Sequence, residues 1–407
     1  MLSVQLAAIE MNTFFAYYPC MESIYFDWAA TAPILPELPQ LISEALFTFQ
    51  GNPSSIHSSG KKSRTELDYN RKVFAKLLET KPEQLIFTSG GSESNSIIFS
   101  SLFLKKPGSH IILSAIEHPS IYEFATNLKS FGYEIDFIKP AANGIIIPEN
   151  IEKHLKKNTT LVSIMTVNNE TGAIQKINGI GKLIRNFEQT NGRKIHFHTD
   201  AVQALGKIPF KPGLLNIDSA SFSAHKIGGP KGVGMLFLKK PLNVISSGGG
   251  QEFTIRPGTE NIAGIKAFAR AMEISLEKLD INYKLVQSLK TILIDELKKI
   301  KGIKFLFDNN FESDYSPYIV NATVAPIPGE VVVRMLSDEG IQISTGSACS
   351  SRNSKKKLRV LTASGISEQE ASGSIRISLG WSSTKEEILN FSLVLNTIIS
   401  KLRIYHK

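Results

Sequence analysis

Short apolar runs alternate with stretches of helical spacing along much of the chain, and this alternation constrains the fold more than any other feature. The runs lie at Leu85 to Thr88, Ile111 to Ser114, Thr160 to Thr166, Ile195 to Thr199 and around Ser221 and Met235. Ser92 to Leu104 and Pro119 to Leu128, lying between them, carry helical patterns. Strands that alternate with helices pack as a parallel or mostly parallel sheet covered on both faces, so an α/β fold is predicted. From Ile265 to Ile300 the pattern turns continuously helical, with Leu285, Leu289, Ile292 and Leu293 at three-to-four spacing, which predicts one helix linking a large domain to a smaller one. The remainder reads as α+β. Its strands are expected near Ile319 to Ala325, Ile341 to Ser344 and Ser374 to Leu379, and its helices at Gly329 to Asp338 and Lys385 to Leu402. A chain of 407 residues is long enough for two such cores.

Two islands in the middle of the chain carry chemistry. Lys194 to Thr199 reads as a strand that delivers Asp200 at its C-terminal end, where open α/β sheets place their ligands. Ser219 to Ser223 reads as the next strand and leads into Ala224-His225-Lys226. A carboxylate and a lysine in these positions match the needs of pyridoxal phosphate. Its ring draws electrons only while the ring nitrogen stays protonated, and the cofactor is held through a lysine Schiff base. Ser223 and His225, two apart in extended chain, project to one side and could reach a phosphate, leaving Lys226 pointing elsewhere. Gly228 to Gly232 then forces a turn before the strand Val233 to Leu238. An ordinary buried strand end followed by a surface lysine has the same local sequence.

A second phosphate contact is expected at Thr88-Ser89-Gly90-Gly91-Ser92-Glu93-Ser94, between a strand and a helix, where small residues let backbone amides approach an anion. Ser92 is the natural N-cap there. A capped loop without a ligand is the bland alternative.

Further segments occur in one order: Tyr25 to Asp27, Gly51 to His57, Thr88 to Asn95, Glu117-His118, Val167 to Gly172 and Gly248 to Glu252, then Arg256 to Asn261, Gly346 to Ser350 and Ser374 to Gly380. With Asp200 to Gln203 and Ser223 to Lys226, this order resembles the cysteine desulfurases of the class V aminotransferase family, those that feed iron–sulfur assembly or nitrogenase maturation. The resemblance runs from about residue 23 to 400, and ordered motifs are far more specific than any one alone. It implies the type I fold of pyridoxal-phosphate enzymes: a large domain with a mostly parallel seven-stranded sheet, and a smaller α+β C-terminal domain. The expected division is an extension at 1–20, a large domain at 36–279, and a small domain made of 21–35 with 280–407.

The resemblance also implies roles. Pyridoxal 5′-phosphate is held by Lys226, with Asp200 on its ring nitrogen. Gly91, Ser92, Ser223 and His225 take its phosphate, and Thr259 joins them from the neighbouring subunit of a homodimer. His118 stacks on the ring and shuttles protons; a structural histidine is its alternative. Gln203 meets the phenolic oxygen. Asn169 lies near that oxygen and the substrate carboxylate, which Arg376 grips with a planar fork suited to it; a structural salt bridge is the other reading of Arg376. Cys349, in the small, polar and basic stretch Ser344 to Lys357, is the expected nucleophile, because nearby cations favour the thiolate. L-cysteine is then converted to alanine while Cys349 takes its sulfur as a persulfide, for an acceptor such as an iron–sulfur scaffold. The long stretch between Cys349 and Ile375 resembles the extended-loop members.

Departures are small. Ser92 stands where threonine is common, Ala224 where glycine is frequent, and Gly380-Trp381-Ser382-Ser383 replaces a more usual Gly-Arg-Phe-Thr. The tail, Leu402 to Lys407, lacks the ending by which some members grasp the scaffold. A selenocysteine lyase, a transaminase or β-lyase of the same family, and a non-catalytic assembly platform are the competing readings.

Composition adds limits. Hydrophobic content is 42% and charged content 20%, and no apolar run approaches the roughly 20 residues of a membrane span. A formal charge of +9 and a pI near 9.2 could suggest nucleic acid. The lysines are scattered along helices without an RNA-binding signature, so a solvated surface is expected, with an acidic protein as possible partner. The cysteines, Cys20 and Cys349, make neither a disulfide framework nor a thiolate metal cluster, so no metal site is expected and a reducing cytoplasm is the default. Residues 1–20 lack the basic start and cleavage pattern of a secretory signal.

Overall fold

The computed structural model describes residues 23–307, 314–346 and 358–404. The extension at 1–20, Cys20 and Cys349 lie outside the described residues.

Alternation of apolar side chains builds the large sheet. In chain order its strands are β1 (Leu85–Thr88), β2 (His110–Ser114), β3 (Glu134–Ile138), β4 (Thr159–Ser163), β5 (His196–Asp200), β6 (Ser219–Ser223) and β7 (Gly234–Leu238). Their spatial order is β1-β7-β6-β5-β4-β2-β3, parallel throughout except that β7 runs antiparallel to both its neighbours. Met235 and Phe237 of β7 join one hydrophobic cluster, while Leu236 and Leu238 join another. Ile112 and Ile111 of β2 divide in the same way. Period-two alternation thus places apolar side chains on both faces, and helices cover each. Burying a side chain such as Phe222, which is fully enclosed, is worth about 1.5–3 kcal/mol.

The expected single helix from Ile265 to Ile300 is two helices, Ile262–Glu277 and Leu279–Lys299. Lys278 between them has φ −94° and ψ 8°, away from helical values. The reason lies in the packing. Ala267, Phe268, Ala271 and Met272 face the large-sheet core, whereas Val286, Leu289, Leu293 and Leu297 face a second core. The break lets the two helices present their apolar stripes to separate cores.

That second core also holds Ile24, Phe26 and Ala29 from the start of the described chain. A three-stranded antiparallel sheet supports it, with Ile319–Thr323 between Ser374–Ser378 and Lys304–Phe305. Ile24–Tyr25 pairs in parallel with Ile341–Gln342. The helices Gly329–Asp338 and Lys385–Ile404 complete this α+β unit.

Candidate active site

Asp200 is the last residue of β5 and Ser223 the last of β6, so parallel pairing brings both to one end of the sheet. Thr88 closes β1 at that end too, and His118 follows β2. These ends open on a cavity of about 530 Å³. Its walls include Gly91, Ser92, His118, Asn169, Asp200, Gln203, Ser223, His225, Lys226 and Arg376. Thr259 is not brought there; it lines a separate hollow with Phe49, Asn52 and Pro53. Cys349 is outside the described residues.

The Asp200 carboxylate is almost fully buried and well supplied with donors. Its Oδ1 accepts from the Val202 amide at 3.0 Å and its Oδ2 from Asn95 Nδ2 at 2.8 Å. Lys226 Nζ donates to the carbonyls of Ala29 (2.7 Å) and Ala30 (2.6 Å). Contrary to the extended geometry expected after Ser223, Ala224 to Lys226 form a 3₁₀ turn. The tighter winding redirects Lys226, so it lines the same cavity as Ser223 and His225. His225 Nδ1 meets Thr31 Oγ1 at 3.1 Å, and burial, helped by the Lys226 charge, lowers its pKa to about 4. It is neutral at physiological pH.

The helix Gly91–Ser100 starts beside these groups. Its N-cap is Gly90 rather than Ser92, with φ 155° and ψ −178°, a conformation that side chains disfavour. Ser92 lies in the first turn instead. A Cβ on Gly91 would come within 2.5 Å of Val202 Cγ2, so the bare backbone is needed for the loop to seat.

His118 caps the helix Pro119–Leu128, its Nδ1 accepting from the Ser120 amide at 3.2 Å. Burial lowers its pKa, and the nearby Asp200 charge opposes that shift. Gln203 donates from Nε2 to the Ala29 carbonyl at 2.8 Å. Arg376 is buried, with Nη2 on Asp27 Oδ1 at 2.8 Å and Nη1 on the Asn169 carbonyl at 2.9 Å. It therefore makes the structural ion pair and also lines the cavity, and its buried Nε has no partner among the described residues.

Several residues in or behind the wall have no role assigned by the sequence. Asn95 lies inside the Thr88 to Asn95 motif, yet nothing local marks it as the partner of Asp200. Arg359 stacks 3.9 Å over the Tyr122 ring and donates to the carbonyls of Ala115 and, at 2.5 Å, Glu117. Glu117 and Glu170 are enclosed, and burial raises their pKa values to about 8 and about 7. Both lie inside the ordered segments Glu117-His118 and Val167 to Gly172, next to a predicted residue, His118 or Asn169, and that is the signal the sequence offers.

A carboxylate, a lysine, an aromatic base and a glycine-lined helix start around one cavity could hold a pyridine ring bearing a phosphate. Residues 24–391 match the family described as Aminotransferase class-V. The cysteine desulfurase IscS of Dictyoglomus turgidum is 39% identical over 93% of this chain and 95% of its own. That of Methanosarcina thermophila is 34% identical over 94% and 93%. A solved NifS-like protein superposes with a TM-score of 0.85 at 33% identity, covering 93% of this chain and 99% of its own. The chain belongs to the class V aminotransferase family, and its relatives place it in the cysteine desulfurase branch.

Proposed function

We propose that this chain is a pyridoxal 5′-phosphate-dependent cysteine desulfurase that converts L-cysteine to L-alanine and keeps the sulfur as a persulfide on Cys349. The observation that carries this reading is the convergence of the Asp200 carboxylate and Lys226 Nζ on one cavity, in a chain of this family.

The residues fit the cofactor. Asp200 keeps an acceptor edge in a buried wall, and Gly91, Ser92, Ser223 and His225 surround a helix N-terminus suited to a phosphate. When bound, pyridoxal phosphate supplies a protonated ring that draws electron density from the substrate. Asp200 would stand by its ring nitrogen, Gln203 by its phenolic oxygen and His118 against its face. Lys226 Nζ would anchor it and, once released, take the α-proton of L-cysteine and return a proton to the three-carbon product.

Arg376 and Asn169, both on the cavity wall, hold the substrate carboxylate. The Cys349 thiolate attacks the substrate sulfur: an S–S bond forms as the C–S bond breaks, and the carbon fragment, keeping that electron pair, is protonated to alanine. Thr259 completes the phosphate site from a second copy, so the working form is a homodimer. The persulfide passes to an acceptor protein such as an iron–sulfur scaffold, in the cytoplasm. Among the described residues no helix is long and apolar enough to cross a membrane. The two packed cores support a division into a domain at 36–279 and one made of 21–35 with 280–407, with Leu35 at the boundary packing on the large core.

Alanine release from L-cysteine tests the reading. The native protein forms alanine with a persulfide, and Cys349→Ala forms neither. Undiminished alanine from Cys349→Ala would make the protein a lyase instead.

A further inference from the structure

His196, His198 and Asp200 alternate along β5, so period two sets all three on one face of the strand. The function above uses only Asp200. The other two are joined to it by an unbroken run of hydrogen bonds: Asp200 Oδ2 to Asn95 Nδ2 at 2.8 Å, Asn95 Oδ1 to His198 Nε2 at 3.0 Å, His198 Nδ1 to Ser219 Oγ at 2.8 Å and Ser219 Oγ to His196 Nε2 at 2.7 Å. His198, Ser219 and Asn95 are buried, with at most 1% exposed.

The inventory of donors and acceptors allows one direction only. An ionised carboxylate can only accept, so the amide nitrogen of Asn95 must face Asp200 and its carbonyl must face His198. His198 Nε2 therefore carries a proton. Burial holds this ring neutral, its pKa lowered to about 3, so Nδ1 is bare and Ser219 must donate to it. The single hydroxyl proton being used there, His196 Nε2 must donate to Ser219.

Asn95 also branches. Its Nδ2 lies 2.9 Å from Ser120 Oγ, which in turn lies 2.8 Å from His118 Nδ1. That hydroxyl, accepting from Asn95, donates to His118, whose Nδ1 also accepts the Ser120 amide. The proton of neutral His118 is thereby left on Nε2. The Asn95 amide thus meets the Asp200 carboxylate directly and His118 through the Ser120 hydroxyl.

We propose that His196, Ser219, His198 and Asn95 form an oriented hydrogen-bond relay that keeps the Asn95 amide nitrogen, and so a donor, on the Asp200 carboxylate, making His198 and Ser219 positioning residues for the ring-nitrogen proton of the cofactor. The proposal rests on the cofactor assignment above. Without the Nε2–H of His198, the Asn95 carbonyl loses its buried donor. The amide can then turn its oxygen toward Asp200, which removes a charge-assisted bond and adds repulsion. Without the Ser219 hydroxyl, His198 is free to move its proton to Nδ1, with the same result.

The test is the ¹⁵N resonance of ring-labelled pyridoxal 5′-phosphate bound to the full-length protein, followed against pH. His198→Gln, whose amide nitrogen stands near the place of Nε2, should titrate like the native protein. In His198→Leu and Ser219→Ala the ring nitrogen should lose its proton about one pH unit lower or more. Identical midpoints in native and Ser219→Ala protein, both carrying cofactor, would overturn the relay while leaving the function intact. Ser219→Ala removes a single oxygen and carries the test if His198→Leu does not fold. Failure of the native protein to take up the cofactor would instead bring down the functional assignment, and the relay with it.

Discussion

Lys207 Nζ donates to Gln203 Oε1 at 2.8 Å inside the protein, one turn behind the cavity wall. Gln203 Nε2 donates to the Ala29 carbonyl, which leaves Oε1 to accept from Lys207 and settles which way the Gln203 amide faces. Burial lowers the Lys207 pKa to about 7. A lysine whose folded pKa lies below its unfolded value of about 10.4 favours unfolding while charged. The unfolded chain then binds more protons between about pH 7 and 10, so this group makes stability rise with pH across that window. Lys207→Met should remove that rise, and thermal melts at a series of pH values should show its advantage over the native protein shrinking as pH increases. A constant difference would mean Lys207 does not titrate in this range.

Glu117 has the opposite sign. Its Oε1 accepts from Ser114 Oγ at 2.5 Å and the Met165 amide at 2.8 Å, while the buried Oε2 has no partner among the described residues. Burial lifts its pKa to about 8, so the folded form holds a proton that the unfolded chain gives up, and stability falls as pH rises from about 4.5 to 8. Glu117→Gln keeps the accepting oxygen and cannot ionise. Its unfolding free energy, from denaturant melts, should overtake that of the native protein by about 1 kcal/mol or more near pH 8, with little difference near pH 4.

Gly91 has no room for a side chain. Gly91→Ala would drive its Cβ into Val202, at a cost of about 1–3 kcal/mol in stability and a loss of cofactor uptake. Calorimetry and the visible absorbance of reconstituted protein check both parts.

Arg376 makes two polar contacts as a planar fork, which an ammonium cannot reproduce. Arg376→Lys should lower kcat/KM for L-cysteine about a hundredfold, mostly through KM, as expected when charge-assisted bonds near 3 kcal/mol are lost. Steady-state alanine formation measures it, and an unchanged KM would remove Arg376 from substrate binding.

The parts legible in the sequence are those with a strong period or a fixed motif. Ser219–Ser223 and Gly329–Asp338 occur where patterning places them, because alternation and helical spacing report directly on which face is buried. Asp200 was readable because a strand end in an α/β sheet has one destination. The bend at Lys278 was not, since both of its helices are apolar at helical spacing and only their separate cores distinguish them. Lys226 was misdirected because local sequence does not tell an extended chain from a 3₁₀ turn. Asn95 and Arg359 were missed for a different reason: a polar residue announces its chemistry but not its partner across the fold.

The central claim is tested most directly by intact-protein and peptide mass spectrometry of the full-length protein after incubation with L-cysteine, with alanine quantified in the same sample. One added sulfur on the peptide containing Cys349, with alanine in matching amount in the first turnover, is the expected result. Alanine or another three-carbon product without sulfur on Cys349 would contradict the account.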